Sequence, residues 1–365
     1  MPVMIANEIA NSPRLLFLGA GASKPLGKML MGEFVEYLTK QVSNERYADL
    51  LRAICREKPD LEFLIEQLEE ISTKRYFGDV HTFRRGDGEI FNFPAMSSEI
   101  ASLATLANSA LEWVKREVYH HYRNLETPAR IDLLDGIINS MGTVSGCMVV
   151  FTTNYDPSIE TLCRSKGWLL VDGFGHDAHS QEYSWNRSVF DEFKSSGEPT
   201  VVLFKIHGST NWISDSKRIV KSVSIYAAEV DDGYQNVMIY PATRKVAISE
   251  PYFTCYDYLG KCLSHAEFCL VVGYSFRDDD VLTRFRAAAI ANENLQVAIL
   301  DPNASTICKK VGKYGINTLP IIGSLGDNPS AYYAEISDVL SGRAKLRTSL
   351  RRRSSNAGAV TPSAS

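Results

Sequence analysis

Six short, unbroken apolar runs limit what this chain can fold into. They are Arg14–Leu18, Cys147–Phe151, Val201–Ile206, Val237–Tyr240, Phe268–Val272 and Leu295–Leu300. A strand with one wet face alternates apolar and polar residues; a strand covered on both faces does not. Continuous runs of this length predict strands buried on both sides. Helical spacing separates several of them, over Pro157–Lys166, Tyr252–Ala266 and Asp278–Asn292. Strand–helix–strand alternation predicts an α/β fold, a Rossmann-like, doubly wound, mostly parallel sheet.

Between the first and second runs the pattern is helical. Lys28–Lys40, Arg46–Glu57, Asp60–Ser72 and Ser97–Tyr122 are read as helices. Leu61, Leu64, Ile65 and Leu68 form one apolar face, and Leu103, Leu106, Leu111, Val114 and Val118 are spread along the last segment. Little strand character appears here, and Arg84–Gly88 reads as an exposed turn. Residues about 42–140 are expected to form an inserted or flanking helical subdomain within a catalytic domain of 13–344. Residues 345–365, with Arg351-Arg352-Arg353, are expected to be a disordered basic tail.

Composition removes several function classes. A net charge of −4 gives no electrostatic case for direct nucleic-acid binding. No apolar run is long enough to span a bilayer, and the N-terminus lacks a secretory pattern, so a cytoplasmic protein is expected. The 7 cysteines are scattered with no C-x-x-C pair, which predicts reduced thiols and no cysteine-based zinc site.

In an open parallel sheet, ligands bind beyond the carboxyl ends of the strands. The first strand runs into Gly19-Ala20-Gly21-Ala22-Ser23, a turn suited to phosphate. Lys24 stands where a dehydrogenase fingerprint has its third glycine, so hydride transfer is not indicated. Ser23 is read as a helix cap or a phosphate donor. The following runs end in Thr153-Asn154-Tyr155-Asp156, His207-Gly208-Ser209, Gly273-Tyr274-Ser275-Phe276-Arg277-Asp278 and Asp301-Pro302-Asn303. His207 is a histidine at a strand end, able to act as a base near neutrality or to cap the strand. Asn154 either orients a hydroxyl or water, or closes an Asx turn. Asp156 precedes Pro157 as a helix N-cap would, and Asp301 is either a ribose acceptor or a turn residue.

Taken in order, these segments resemble the sirtuin-like NAD-consuming domains of bacterial anti-phage defence, over about Leu15 to Ala304. The resemblance implies that Gly19, Ala20, Gly21 and Ser23 cradle the NAD pyrophosphate. It implies Asn154 and His207 as the catalytic pair, with Asp156 near the nicotinamide amide. Gly273 and Ser275 would line the adenosine side, with Asp301 at the adenine ribose. A bulky residue at Gly21 is then expected to abolish nucleotide binding before it disturbs the fold. Protein-deacylating sirtuins carry a four-cysteine zinc ribbon after the His-Gly element; here only Cys255, Cys262 and Cys269 lie between His207 and Gly273. They also follow the glycine turn with Ile-Pro-Asp-Phe-Arg, where this chain has Lys24-Pro25-Leu26-Gly27-Lys28-Met29. The implied activity is NAD+ hydrolysis to nicotinamide and ADP-ribose, with NAD+ as substrate and no zinc. A deacylase or ADP-ribosyltransferase, and a non-catalytic NAD or ADP-ribose sensor, are the alternatives. The resemblance further implies a homo-oligomer and a regulatory partner such as a HerA-type ATPase.

Overall fold

A computed structural model describes residues 8–56, 60–73, 80–84, 90–94, 97–125, 128–143, 146–177, 182–214, 218–221, 235–238 and 249–341. The chain divides into two compact units. One comprises Met1–Lys28, Leu125–Val237 and Ala247–Ser365; the other comprises Met29–Asn124 and Met238–Val246.

The first unit is built on a seven-stranded sheet, parallel throughout. Its spatial order is Thr318–Ile322, Gln296–Asp301, Phe268–Val272, Arg14–Leu18, Cys147–Thr152, Thr200–Lys205, Leu169–Val171. The first strand of the chain is thus the central one. The inner strands are buried along almost their whole length, as continuous apolar runs require. Alternate residues feed two cores. Phe17, Val149, Phe151, Val202, Phe204, Cys269 and Val271 face helices Tyr252–His265, Asp279–Ala291 and Ala304–Gly312. Leu16, Leu18, Met148, Val150, Leu203, Leu270 and Val272 face helices Asp132–Met141, Ser158–Lys166 and Pro329–Leu340. Helices therefore cover both faces, and the expected α/β fold is present.

Two features depart from the sequence reading. The Val237–Tyr240 run does not join the parallel sheet. Its described part, strand Gln235–Met238, belongs to a five-stranded sheet with Gly208–Ser214, Ile219–Lys221, Glu182–Trp185 and Phe174–Asp177. Phe174 and Trp212 form the apolar centre of that sheet, with Trp185, Ile219 and Tyr252 against them. The edge strand Thr318–Ile322 carries Pro320, which costs no ladder bond where one side of the strand is unpaired.

The second unit contains helices Met31–Gln41, Glu45–Cys55, Leu61–Thr73 and Ser97–Tyr122. Asn44 Oδ1 accepts from the Arg46 and Tyr47 amides, and Asp60 Oδ1 from those of Glu62 and Phe63, fixing two helix starts. Leu61, Leu64, Ile65 and Leu68 are buried as one face, with Leu111, Val114 and Val118 from the long helix. The sequence showed no strand here, yet Val80–Arg84 and Ile90–Pro94 pair antiparallel. The Arg84–Gly88 turn, apart from Arg84, and the 345–365 tail lie outside the described residues. Among the described residues no helix is long and apolar enough to cross a membrane.

Candidate active site

The central strand pairs with Cys147–Thr152 on one side and Phe268–Val272 on the other, so the winding reverses at it, and sheets of this kind bind ligands beyond the carboxyl end of such a strand. Leu18 O accepts from the Thr153 amide at 3.1 Å, and Thr152 O from the Ile206 amide at 2.8 Å. His207 stands on the loop after the neighbouring strand, its ring 6.4 Å from that of Tyr155, the residue that follows Asn154.

Asn154 is 8% exposed. Its Nδ2 donates to Gly19 O at 2.8 Å and to Ser23 Oγ at 2.9 Å. A carbonyl can only accept, so this contact fixes which end of the amide faces the glycine turn. Both amide hydrogens are committed, and Oδ1 makes no hydrogen bond among the described residues. Asn154 therefore offers a ligand an acceptor and no donor. Its backbone N–H donates to Thr152 Oγ1 at 3.0 Å, while Oδ1 accepts from no backbone N–H among the described residues, so the Asx turn at Asn154 is not formed. Ser23 passes the chain on by donating to Asp156 Oδ2 at 2.7 Å. Ser23 stands at the N-cap of the short 3-10 helix Lys24–Leu26, but its hydroxyl makes no cap hydrogen bond and instead links Asn154 to Asp156. Asp156 Oδ1 meanwhile accepts from the Ser158 amide at 3.1 Å; the helix begins one residue later than expected, with Pro157 rather than Asp156 at its N-cap.

Beneath this loop lies a buried lysine that the sequence reading did not single out. Lys205 is 1% exposed. Its Nζ donates to Tyr155 O at 3.1 Å, Asp156 O at 2.7 Å and Glu160 Oε1 at 3.0 Å. One cation thus holds the backbone that carries Asn154 and Asp156. Its signal was a charged residue closing a run of four apolar ones, Val201–Phe204.

The glycine turn has a physical basis different from the expected one. Gly19 N–H donates to Val272 O and Gly21 N–H to Gly273 O, both at 2.9 Å. A Cβ on Gly21 would stand 2.7 Å from Gly273 Cα; one on Gly19 would stand 2.6 Å from Gly273 O. Gly273 itself has φ +63° and would press a Cβ to 2.5 Å from Gly21 Cα. The three glycines let two backbone loops cross in contact, a demand of the fold itself. A bulky residue at Gly21 therefore strikes the fold directly.

Gly273, Ser275 and Asp301 follow the strands on the other side of Arg14–Leu18. Ser275 is exposed. Asp301 Oδ1 accepts from the Asn303 amide at 2.7 Å and closes its turn. His207 is 5% exposed, and its Nε2 lies 2.8 Å from Asp278 Oδ2. That contact joins loops from opposite sides of the central strand. Cys255, Cys262 and Cys269 pack into the core, and burial raises all three thiols above their ordinary pKa.

The reversal point of a doubly wound sheet, with an asparagine, a histidine and an aspartate on neighbouring loops, invites comparison with known families. Residues 148–319 match the SIR2-like domain. The matched segment contains Asn154, Asp156, His207, Gly273, Ser275, Asp278 and Asp301. Comparison with curated proteins finds no match. Among solved structures, the chain is similar to a Sir2 homologue–NAD complex at 10% identity and TM-score 0.41, covering 91% of this chain and 92% of that one. A mutant Sir2 homologue with 2'-O-acetyl ADP ribose shares 12% identity at TM-score 0.41, covering 93% and 98%. Sir2Af2 bound to a myristoylated histone peptide shares 13% at 0.36, covering 92% and 95%. No residue role is transferred from these three.

Proposed function

We propose that this chain hydrolyses NAD+ at the nicotinamide–ribose bond, releasing nicotinamide and ADP-ribose. The reading is carried by Asn154, an amide with both donors engaged and its acceptor left for a ligand, with the buried imidazole of His207 on the loop that follows the neighbouring strand. Nicotinamide leaves NAD+ with the electron pair of the broken C–N bond, and the ribose carbon becomes electron-poor. Asn154 Oδ1 accepts a hydrogen bond from a ribose hydroxyl or from the attacking water. His207 takes the proton that water loses as its oxygen bonds the ribose carbon; a positioned base contributes roughly 10²–10⁴-fold. The SIR2-like match over 148–319 supports an NAD-using chemistry at this site.

Nicotinamide release, followed with wild type, Asn154→Ala and His207→Ala at matched circular dichroism, tests the proposal. Release in wild type and its loss in both variants are expected. Release that requires an acylated peptide or protein acceptor would replace it with transfer chemistry. Tight ADP-ribose binding with no release would replace it with a sensor. In the same reading the protein depletes NAD+ during anti-phage defence, as a homo-oligomer controlled by a partner such as a HerA-type ATPase. Size-exclusion light scattering with and without that partner, and NAD+ levels in infected cells, test that setting.

A further inference from the structure

His207 has a carboxylate against it that sequence reading left unassigned. Nε2 of His207 and Oδ2 of Asp278 are 2.8 Å apart, and the two side chains are 6% and 7% exposed. Such a contact in a water-poor site is stronger than one at the surface. The two oxygens of Asp278 are divided between tasks. Oδ1 caps helix Asp279–Ala291, accepting from the Asp280 amide at 2.9 Å and the Val281 amide at 3.3 Å. Oδ2 is left for His207, with the Tyr256 hydroxyl at 3.5 Å on the same oxygen. Tyr256 is held in turn: the Arg284 guanidinium lies 4.4 Å over its ring, and Arg284 Nε donates to its carbonyl at 3.1 Å. Burial, then the neighbouring carboxylate of Asp278, pushes the Tyr256 hydroxyl well above its usual pKa, so it stays a donor. Phe276, two residues before Asp278, is fully buried at φ +54°, and Lys310 Nζ binds its carbonyl at 2.8 Å. The loop delivering Asp278 is therefore fixed from both sides.

We infer that Asp278 is the positioning residue of His207. An ionised carboxylate only accepts, so the imidazole must carry its hydrogen on Nε2. In the neutral ring the lone pair then sits on Nδ1, which becomes the atom that takes the proton in the proposed hydrolysis. The inference rests on that reading for its kinetic part, while the tautomer is a property of the unliganded protein. Asp278 also stabilises the imidazolium formed after proton transfer, without itself being protonated.

Long-range ¹H–¹⁵N spectra of histidine-labelled protein test the tautomer directly, with His207 assigned through His207→Gln. The expected pattern is Nε2-protonated in wild type and inverted or mixed in Asp278→Asn, because the asparagine amide can donate to Nε2. An Nδ1-protonated His207 in wild type overturns the inference, whatever the enzyme does. Asp278→Asn and Asp278→Ser both retain a cap acceptor, so folding should survive. In each, kcat for nicotinamide release should fall roughly 10²–10⁴-fold with KM within a few-fold. Wild-type kcat in either variant, with or without lower stability, would reduce Asp278 to a helix cap. If wild type releases no nicotinamide, the hydrolase reading fails while the spectra still decide the tautomer.

Discussion

Replacing Lys205 by methionine should be among the most damaging single changes in the first unit. The side chain is buried, and its ammonium serves Glu160 and two backbone carbonyls. Methionine matches the stem in length, so little cavity forms, and the loss is almost wholly electrostatic. Glu160 would remain 4% exposed with no counter-charge, and its Oε2 has no hydrogen-bond partner already. Removing one member of a buried ion pair costs about 3–5 kcal/mol. Each abandoned carbonyl adds roughly 0.5–1.5 kcal/mol. The total, about 4–8 kcal/mol, approaches the whole stability of an ordinary domain. Urea unfolding of Lys205→Met, Glu160→Gln and the double variant separates the parts. The double variant should recover about 2 kcal/mol relative to Lys205→Met alone, because no uncompensated charge is left. A single-variant loss below about 1 kcal/mol at unchanged m-value would refute the reasoning, since a buried charge could not then be stranded so cheaply.

Other outcomes follow from the same geometry. Gly21→Val should lower stability by about 1–3 kcal/mol through contact with the Gly273 backbone, read as a lower Tm; an unchanged Tm with lost nucleotide binding would restore ligand clearance as the reason for this glycine. Asn154→Asp should lose more stability than Asn154→Ala, because it sets a carboxylate against Gly19 O and near Asp156, and thermal melts at pH 7 compare the two. Partial burial alone would raise the Asp257 pKa, but hydrogen bonds from Lys261 and Arg187 hold it below the usual value. Its contribution to stability is therefore complete above about pH 4 and lost as pH falls through the lowered folded value, so the Tm gap to Asp257→Asn should close in acid. Burial, reinforced by Glu160 and Asp172, pushes the Cys163 thiol up to about 12, leaving roughly one part in 10⁴ as thiolate at pH 8. Alkylation followed by mass spectrometry should label Cys163 far more slowly in native than in urea-unfolded protein; equal rates would contradict its burial.

The parallel sheet was legible because burial on both faces leaves an unmistakable continuous apolar run. Asn154, Asp156 and His207 were picked out because sheets of this kind bind ligands beyond their strand ends, and the structure places all three just past such ends. The antiparallel sheet was not. Its strands are short, and Gly208-Ser209-Thr210-Asn211 reads as a loop, although all four residues are buried. Thr318–Ile322 was hidden by Pro320, whose edge position becomes known only with the topology. Asp278 lay in a segment already picked out. Beside Asp279 and Asp280 it explained itself as a helix start; only the folded chain brings His207 to its second oxygen. Lys205 was passed over because a lysine ending a strand is ordinarily solvated, and nothing local announces that three acceptors converge on it.

The central position of the first strand also sets a timetable. Arg14–Leu18 leaves the ribosome before every other strand of its sheet, yet one neighbour ends at residue 152 and the other at residue 272. Until the latter emerges, one edge of the earliest strand has no native partner, and the glycine turn has no Gly273 to cross. Asp278 appears later still, after the second of these neighbours. A growing chain, or one released early, therefore holds Asn154 and His207 without the carboxylate that orients the imidazole. Competence comes only once Asp278 has been made, so a chain with the proposed NAD-destroying activity would be inert until then.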